Sequence, residues 1–490
     1  MVRTFMLVVL FAGVLYAQKV SRVSQYGITW YFDREYETGT FINGDYWVVG
    51  PVTIVRITPE SIGGTNGSVV NPVPRKQSYD RRAPSYDSSR ALKLPATVSP
   101  DASVVSTISR NKWPWLTTAA VLTIVQKAPP PETFRPGYGG EIKRFFSFKD
   151  INLASLPRLS YPPDNIKTKR GRFIKARHAP DINEFSRKFT RVWLDHLPSD
   201  GGAYRAIRPV ENLPNYSRET SQLASYAGLA VLMEPPYLRD KLLIPLVQIG
   251  IDYYSVATMD TCLWPGGSGQ GNGRKWFIVF LGVIFQDKKI ASLTFCAGED
   301  QQTYYAHDPA LPATDAFGFA KKNVPAWHGP RVLWGALRLR DGVWCRDYEH
   351  VPPEQWAHIR PGTYLGGCQS ERYRRCCTSH TWVGQALSMR LLNATAYWSK
   401  SWFDYVDRWM IENYTQTEQQ QLAHIRCNTA DSTDIRDFSG GVMLNSSESR
   451  FIDACWHTYR ASLTIRCKDG TCDKPVENCI TCPRDCCTPE

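Results

Sequence analysis

The stretch CLWPGGSGQGNGRKWFIVFLGVIF, residues 262–285, sets glycines at 267, 269, 271 and 273 ahead of Arg274, Lys275 and a largely apolar run. Glycine frees backbone N–H groups, and the start of a helix adds the positive end of its dipole. The loop therefore reads as an anion site, with Arg274 and Lys275 supplying charge-assisted bonds and Gln270 and Asn272 supplying amide donors for a carboxylate. It is not a nucleotide loop. The pattern GxxxxGK[ST] fails because Trp276 follows Lys275, and GxGxxG fails on spacing and on the missing βαβ unit. Just upstream, Tyr253 and Tyr254 lie on a helix leading into the same loop, where a tyrosine can serve as a base.

Three more clusters carry side chains of the right kind. NLPNYSRE offers Asn215 and Arg218, types that bind carboxylates, although capping of the next helix is their plainer use. CRDYEHVPPEQW offers His350 as a base, oriented by Glu349 or Asp347, on a loop fixed by two prolines. ERYRRCCTSH brings Tyr373, Arg374 and His380 ahead of a helix and suits a sugar-acid subsite; the plainer reading is a solvated basic face. A zinc site at Glu349, His350 and His358 lacks the helical i, i+4 pairing, and neither GxSxG nor HExxH occurs, so no metal is assigned.

These groups must be positioned by two kinds of structure. Between Tyr26 and Lys127, β-branched and aromatic runs such as DYWVVGPVTIVRIT and AAVLTIVQK alternate with turn signals, which predicts an antiparallel β-domain over residues 18–130. A Pro-rich bridge covers 131–180. Helical periodicity then runs over 181–464: Leu223, Tyr226, Ala227, Ala230 and Met233 share a face, and Pro236 opens another helix from a permitted first-turn position. Eight or more helices without a fixed repeat fit an α/α toroid or a bundle rather than a regular solenoid. Residues 465–490 hold Cys467, Cys472, Cys479, Cys482, Cys486 and Cys487, too dense for an apolar core, and read as a small disulfide-rich tail. Asp469, Asp473 and Glu477 there could hold calcium, although the EF-hand spacing is absent; otherwise no cofactor is expected.

Arg3 followed by the apolar run Phe5–Leu15 reads as a signal peptide over residues 1–17 and predicts a secreted, extracellular protein. Fourteen cysteines fit that compartment, and sequons at Asn66, Asn215, Asn393, Asn413 and Asn445 fit a glycoprotein. No later stretch is long enough to insert stably in a membrane. A formal net charge of +12 on an exported chain points to an acidic polysaccharide rather than nucleic acid.

The segments ARHAPDINEF, ENLPNYSRE, GQGNGRKW, YEHVPPEQW and FDYVDRWM resemble those of a group of exported bacterial proteins distantly similar to heparinase and alginate-lyase-type polysaccharide lyases. The resemblance spans most of residues 27–460. It implies an α/α-toroid domain and a lyase that cleaves uronate chains by β-elimination, which needs a neutralised carboxylate, a base and an acid. In that scheme His350, Tyr253, Tyr254 and Tyr373 are the catalytic candidates. Asn215, Arg218, Gln270, Asn272, Arg274, Lys275, Glu349, Arg374 and His380 hold the substrate. Gln270 departs from the histidine of the group. The tail resembles a separate module found on varied exported proteins, which leaves attachment to a cell surface or matrix open. A glycoside hydrolase using Glu211, Glu219, Asp252, Asp260 or Glu349 is the enzymatic alternative, and a non-catalytic glycan-binding or matrix protein is the other.

Overall fold

The computed structural model describes residues 17–163, 166–167, 173–174, 182–199, 202–233, 236–264, 271–295, 298–305, 332–334, 337–338, 344–345, 377–411, 447–460 and 463. Gln270, Glu349, His350, Tyr373, Arg374, residues 1–16 and residues 465–490 lie outside them.

The N-terminal half is one eight-stranded sheet. Its strands are β1 (Gln18–Gln25), β2 (Ile28–Thr40), β3 (Tyr46–Val49), β4 (Val52–Thr58), β5 (Ser68–Val70), β6 (Ala96–Val98), β7 (Ala102–Ser109) and β8 (Leu116–Val125). The order is β5-β7-β8-β3-β2-β4-β6, with β1 paired to β2. The sheet is antiparallel as expected except at one junction, where β3 runs parallel to β8. The cause is visible in the register. Thr38 pairs with Val48 and Phe32 with Ile54, so β3 and β4 are successive parts of one partner strand of β2, broken at Gly50-Pro51. A proline cannot donate to the ladder, so pairing stops there; β3 continues onto β8 and β4 onto β6.

Strands β7 and β8 are buried almost throughout. Val104, Ala120, Leu122 and Ile124 point into the core of the sheet domain with Trp30 and Ile54. Val105, Ala119 and Val121 point the other way, into the core of the helical half. Two covered faces explain why these strands read as continuous apolar runs rather than alternating ones.

The Pro-rich bridge is a packed layer. Its short hairpin of β9 (Thr133–Phe134) and β10 (Phe146–Ser147) leads a segment whose Phe134, Tyr138, Ile151 and Leu156 enter the helical core. Arg135, fully buried, joins the two halves: it donates to Asp45 Oδ2 at 2.5 Å and bidentately to Asp252 at 2.9 and 2.6 Å.

The helices are α1 (Ile182–Arg187), α2 (Ala203–Ala206), α3 (Ser217–Ala230), α4 (Pro236–Ala257), α5 (Arg274–Ile284), α6 (Lys288–Ala291), α7 (Val383–Leu391), α8 (Lys400–Ile411) and α9 (Ser447–Tyr459). Helix α3 is the hub, packed on α4, α5, α7 and α9. Small residues set its approach. A Cβ on Gly384 would come within 2.6 Å of Ser225, and one on Gly228 within 2.6 Å of the Trp276 ring. Ser225 Oγ donates to the Thr381 carbonyl at 2.6 Å and accepts from the Gln385 N–H at 3.0 Å, while Gln385 Nε2 donates to Ser221 Oγ at 2.6 Å. These bonds satisfy polar groups that close packing would otherwise strand.

No helix among the described residues is long and apolar enough to cross a membrane.

Candidate functional site

The Gly-rich loop ends where the sequence placed a helix start: Gly273 caps α5 with φ +93°. Two constraints demand glycine there. The left-handed backbone disfavours a side chain, and a Cβ would meet the Ser221 N at 2.6 Å. The helix start does bind carboxylates, but they belong to the chain itself. The Gly273 N–H donates to Glu299, and Arg274 Nε donates to Asp195 Oδ2 at 2.7 Å. Lys275 Nζ donates to Asp300 Oδ2 at 2.7 Å and sits 4.8 Å over the Trp398 ring. Asn272 Oδ1 accepts from Gln302 Nε2 at 2.9 Å.

Arg274 is 1 % exposed. Its guanidinium lies against the rings of Tyr204 and Trp264 at 5.1 and 5.6 Å. Tyr253, also buried, donates from its hydroxyl to the same Asp195 Oδ2 at 3.1 Å. Burial works against the Arg274 charge, but Asp195 and Tyr253 more than offset it and its pKa is raised. Burial, reinforced by Asp195, drives the Tyr253 hydroxyl well above its ordinary value, so it stays protonated. Burial pushes Glu299 up to about 8, and the Gly273 N–H only partly counters this. This network is a closed interior. Tyr254, on the next position of α4, is half-buried at the edge of the helical core.

Beside the network lies a cleft of about 380 Å³, lined from five segments. The first is the run 207–216, which extends the sheet: the Val210 N–H bonds the Leu116 carbonyl at 3.2 Å and the Glu211 N–H that of Thr117 at 3.3 Å. Asn212 locks this run by donating to the Val192 carbonyl at 3.0 Å. The second is the first turns of α3, carrying Arg218, Glu219 and Gln222. His380, from the turn before α7, Glu448, at the start of α9, and Lys188, just past α1, complete the lining.

The lining thus gathers the cations Lys188, Arg208 and Arg218, the carboxylates Glu211, Glu219 and Glu448, and His380. Glu211 pairs with Arg191, and Glu219 with Arg218. Arg208 donates to the Leu213 carbonyl at 2.8 Å. Its pKa is lowered, by burial first and then by the neighbouring cation Arg205. Such a cleft can take a polar, anionic ligand and move a proton at its edge.

Of the residues singled out in the sequence, Asn215, Arg218 and His380 come together in this cleft. Asn272, Arg274, Lys275 and Tyr253 stand behind it. The two sets touch through α3: Arg274 Nη1 donates to Ser217 Oγ at 2.6 Å, one residue before Arg218. Asp252 and Asp260 are elsewhere, held by Arg135 and Arg75. Lys188, Arg208 and Glu448 carry no signal in the sequence, because they come from separate segments and no spacing links them. Among the described residues no group of three or more His, Cys, Asp or Glu could hold a metal ion. In comparisons with known proteins, no family model, curated protein or solved structure matches the chain.

Proposed function

We propose that the protein is a secreted enzyme acting on acidic, uronate-containing polysaccharide, and that the cleft beside the first turn of α3 receives the sugar acid. The observation that carries this reading is the convergence of Arg218, Lys188 and Arg208 with Asn215 and His380 around one cavity of about 380 Å³. Guanidinium and amide donors neutralise a sugar carboxylate, which acidifies the proton on the adjacent carbon. In β-elimination a base takes that proton, a C=C bond forms, and the glycosidic oxygen leaves with a proton from an acid. His380 is the base in this scheme, with His350 and Tyr373, outside the described residues, as the other candidates. An α/α-toroid-like helical array and a cysteine-rich tail that attaches the protein to a cell surface or matrix belong to the same proposal.

A hydrolase is the second reading, favoured by Glu211, Glu219 and Glu448 lining the same cavity. Incubation with alginate, ulvan, heparin and chondroitin separates the two. A lyase raises ultraviolet absorbance from unsaturated uronate, and Arg218→Ala and His380→Ala abolish the rise. New reducing ends without that absorbance mean hydrolysis, and binding without either product means a glycan-binding protein.

A further inference from the structure

The turn that joins β7 to β8 carries Trp113, 48 % exposed. A large aromatic ring in water is a feature that binding surfaces use. The Arg205 guanidinium lies 5.2 Å from the centre of the Trp113 ring and 5.8 Å from that of Tyr216. From Nη2 it donates to Asn215 Oδ1 at 3.3 Å, and Asn215 lines the cleft. Trp113, Arg205 and Asn215 therefore form a continuous path from open solvent to the cavity. The sheet domain contributes its outer end and the helical half its inner end.

Charge along this path is poorly balanced. Arg205 makes one side-chain hydrogen bond among the described residues, although a guanidinium has five N–H donors. Arg208, in the cleft wall, feels the charges of both Arg205 and Arg110, with Glu219 as the opposing charge. Glu219 is already engaged by Arg218. Lys112 is exposed next to Trp113. A cluster of guanidiniums held close together invites an anion. The indole face suits the apolar face of a sugar ring, and the adjacent fork suits a carboxylate.

We propose that Trp113 and Arg205 form an outer subsite for one uronate unit of a chain whose neighbouring units occupy the cleft. The proposal rests on the reading of the cleft as a uronate site. It makes the β7–β8 turn a determinant of substrate length: short oligosaccharides fill the cleft alone, and longer ones also cover Trp113.

Titration calorimetry with disaccharides and hexasaccharides of alginate, ulvan, heparin and chondroitin tests it. Wild-type protein should bind a hexasaccharide more tightly than its disaccharide. Trp113→Ala should weaken the hexasaccharide by about tenfold, the scale of one stacked ring, and leave the disaccharide unchanged. Trp113→Phe should recover part of the loss. Because Trp113 is exposed, the variant should unfold at the wild-type temperature. Arg218→Ala should weaken both lengths. If Trp113→Ala binds both lengths as wild type does while Arg218→Ala loses both, the outer subsite is overturned and the cleft reading stands. If the wild-type protein binds none of these sugars, both are overturned.

Discussion

The Arg274 guanidinium and the Asp195 carboxylate meet at 2.7 Å with both side chains 1 % exposed. A pair so placed contributes little net stability compared with apolar packing, but each charge depends on the other. Arg274→Met should destabilise the fold by about 3–5 kcal/mol, since it leaves Asp195 charged and buried with Tyr253 as its remaining side-chain donor among the described residues. Adding Asp195→Leu should restore a substantial part. Urea titration of the two variants decides the matter, and a single variant as stable as wild type would show that the pair is dispensable.

Glu299 lends the fold a pH dependence of definite sign. Its carboxyl, raised to about 8 from an ordinary 4.5, holds a proton in the native state at a pH where the unfolded chain has released it. The native state therefore binds more protons between these values, and stability falls as pH rises from about 4.5 to 8. The loss is on the order of a few kcal/mol. Glu299→Gln keeps an acceptor for the Gly273 N–H and should flatten that slope. Unfolding midpoints measured across this range should show a steeper decline for wild type than for the variant.

His196 acts in the opposite direction. The ring lies edge-on to Tyr79 and Tyr138, and burial lowers its pKa from 6.5 to about 4. Between those values the unfolded chain takes up a proton that the native interior refuses, so stability is lost as pH falls from 6.5 toward 4, by about 3 kcal/mol. His196→Phe should remove that part of the acid sensitivity. An acid-unfolding profile identical to wild type would refute the assignment.

Asn215 is exposed at the cleft, yet the serine of its sequon, Ser217, is fully buried and accepts from Arg274. A glycan attached before folding would stand at the cleft mouth. Protein made in a glycosylating host and modified at Asn215 should bind uronate oligosaccharides more weakly than unmodified wild-type protein made in a host that does not glycosylate. Equal affinities would place the ligand elsewhere.

Local pattern carried much of the fold. The strand runs, the helix over 217–230 and the helix opened by Pro236 follow from periodicity and turn chemistry, because each depends on neighbours in the chain. The split of one strand into β3 and β4 did not, since Gly50-Pro51 reads equally as a hairpin turn. Nor did the packing of the bridge, whose prolines flank Phe134 and Tyr138 at the centre of a core. Arg274 is the sharpest case. A cation after a Gly-rich loop looks like a ligand for something outside, and its true partner, Asp195, is 79 positions away. Asn215, Arg218 and His380 were legible by type, but their meeting in one cleft depends on how α3 packs on α7.

Strands β7 and β8, covered on both sides, decide how this chain can come apart. A cut near residue 130 would strip Val105, Ala119 and Val121 of their partners and leave each fragment with an uncovered apolar wall. Among the described residues the sheet and the helices share that wall, so a module boundary placed there would expose apolar surface on both sides of the cut.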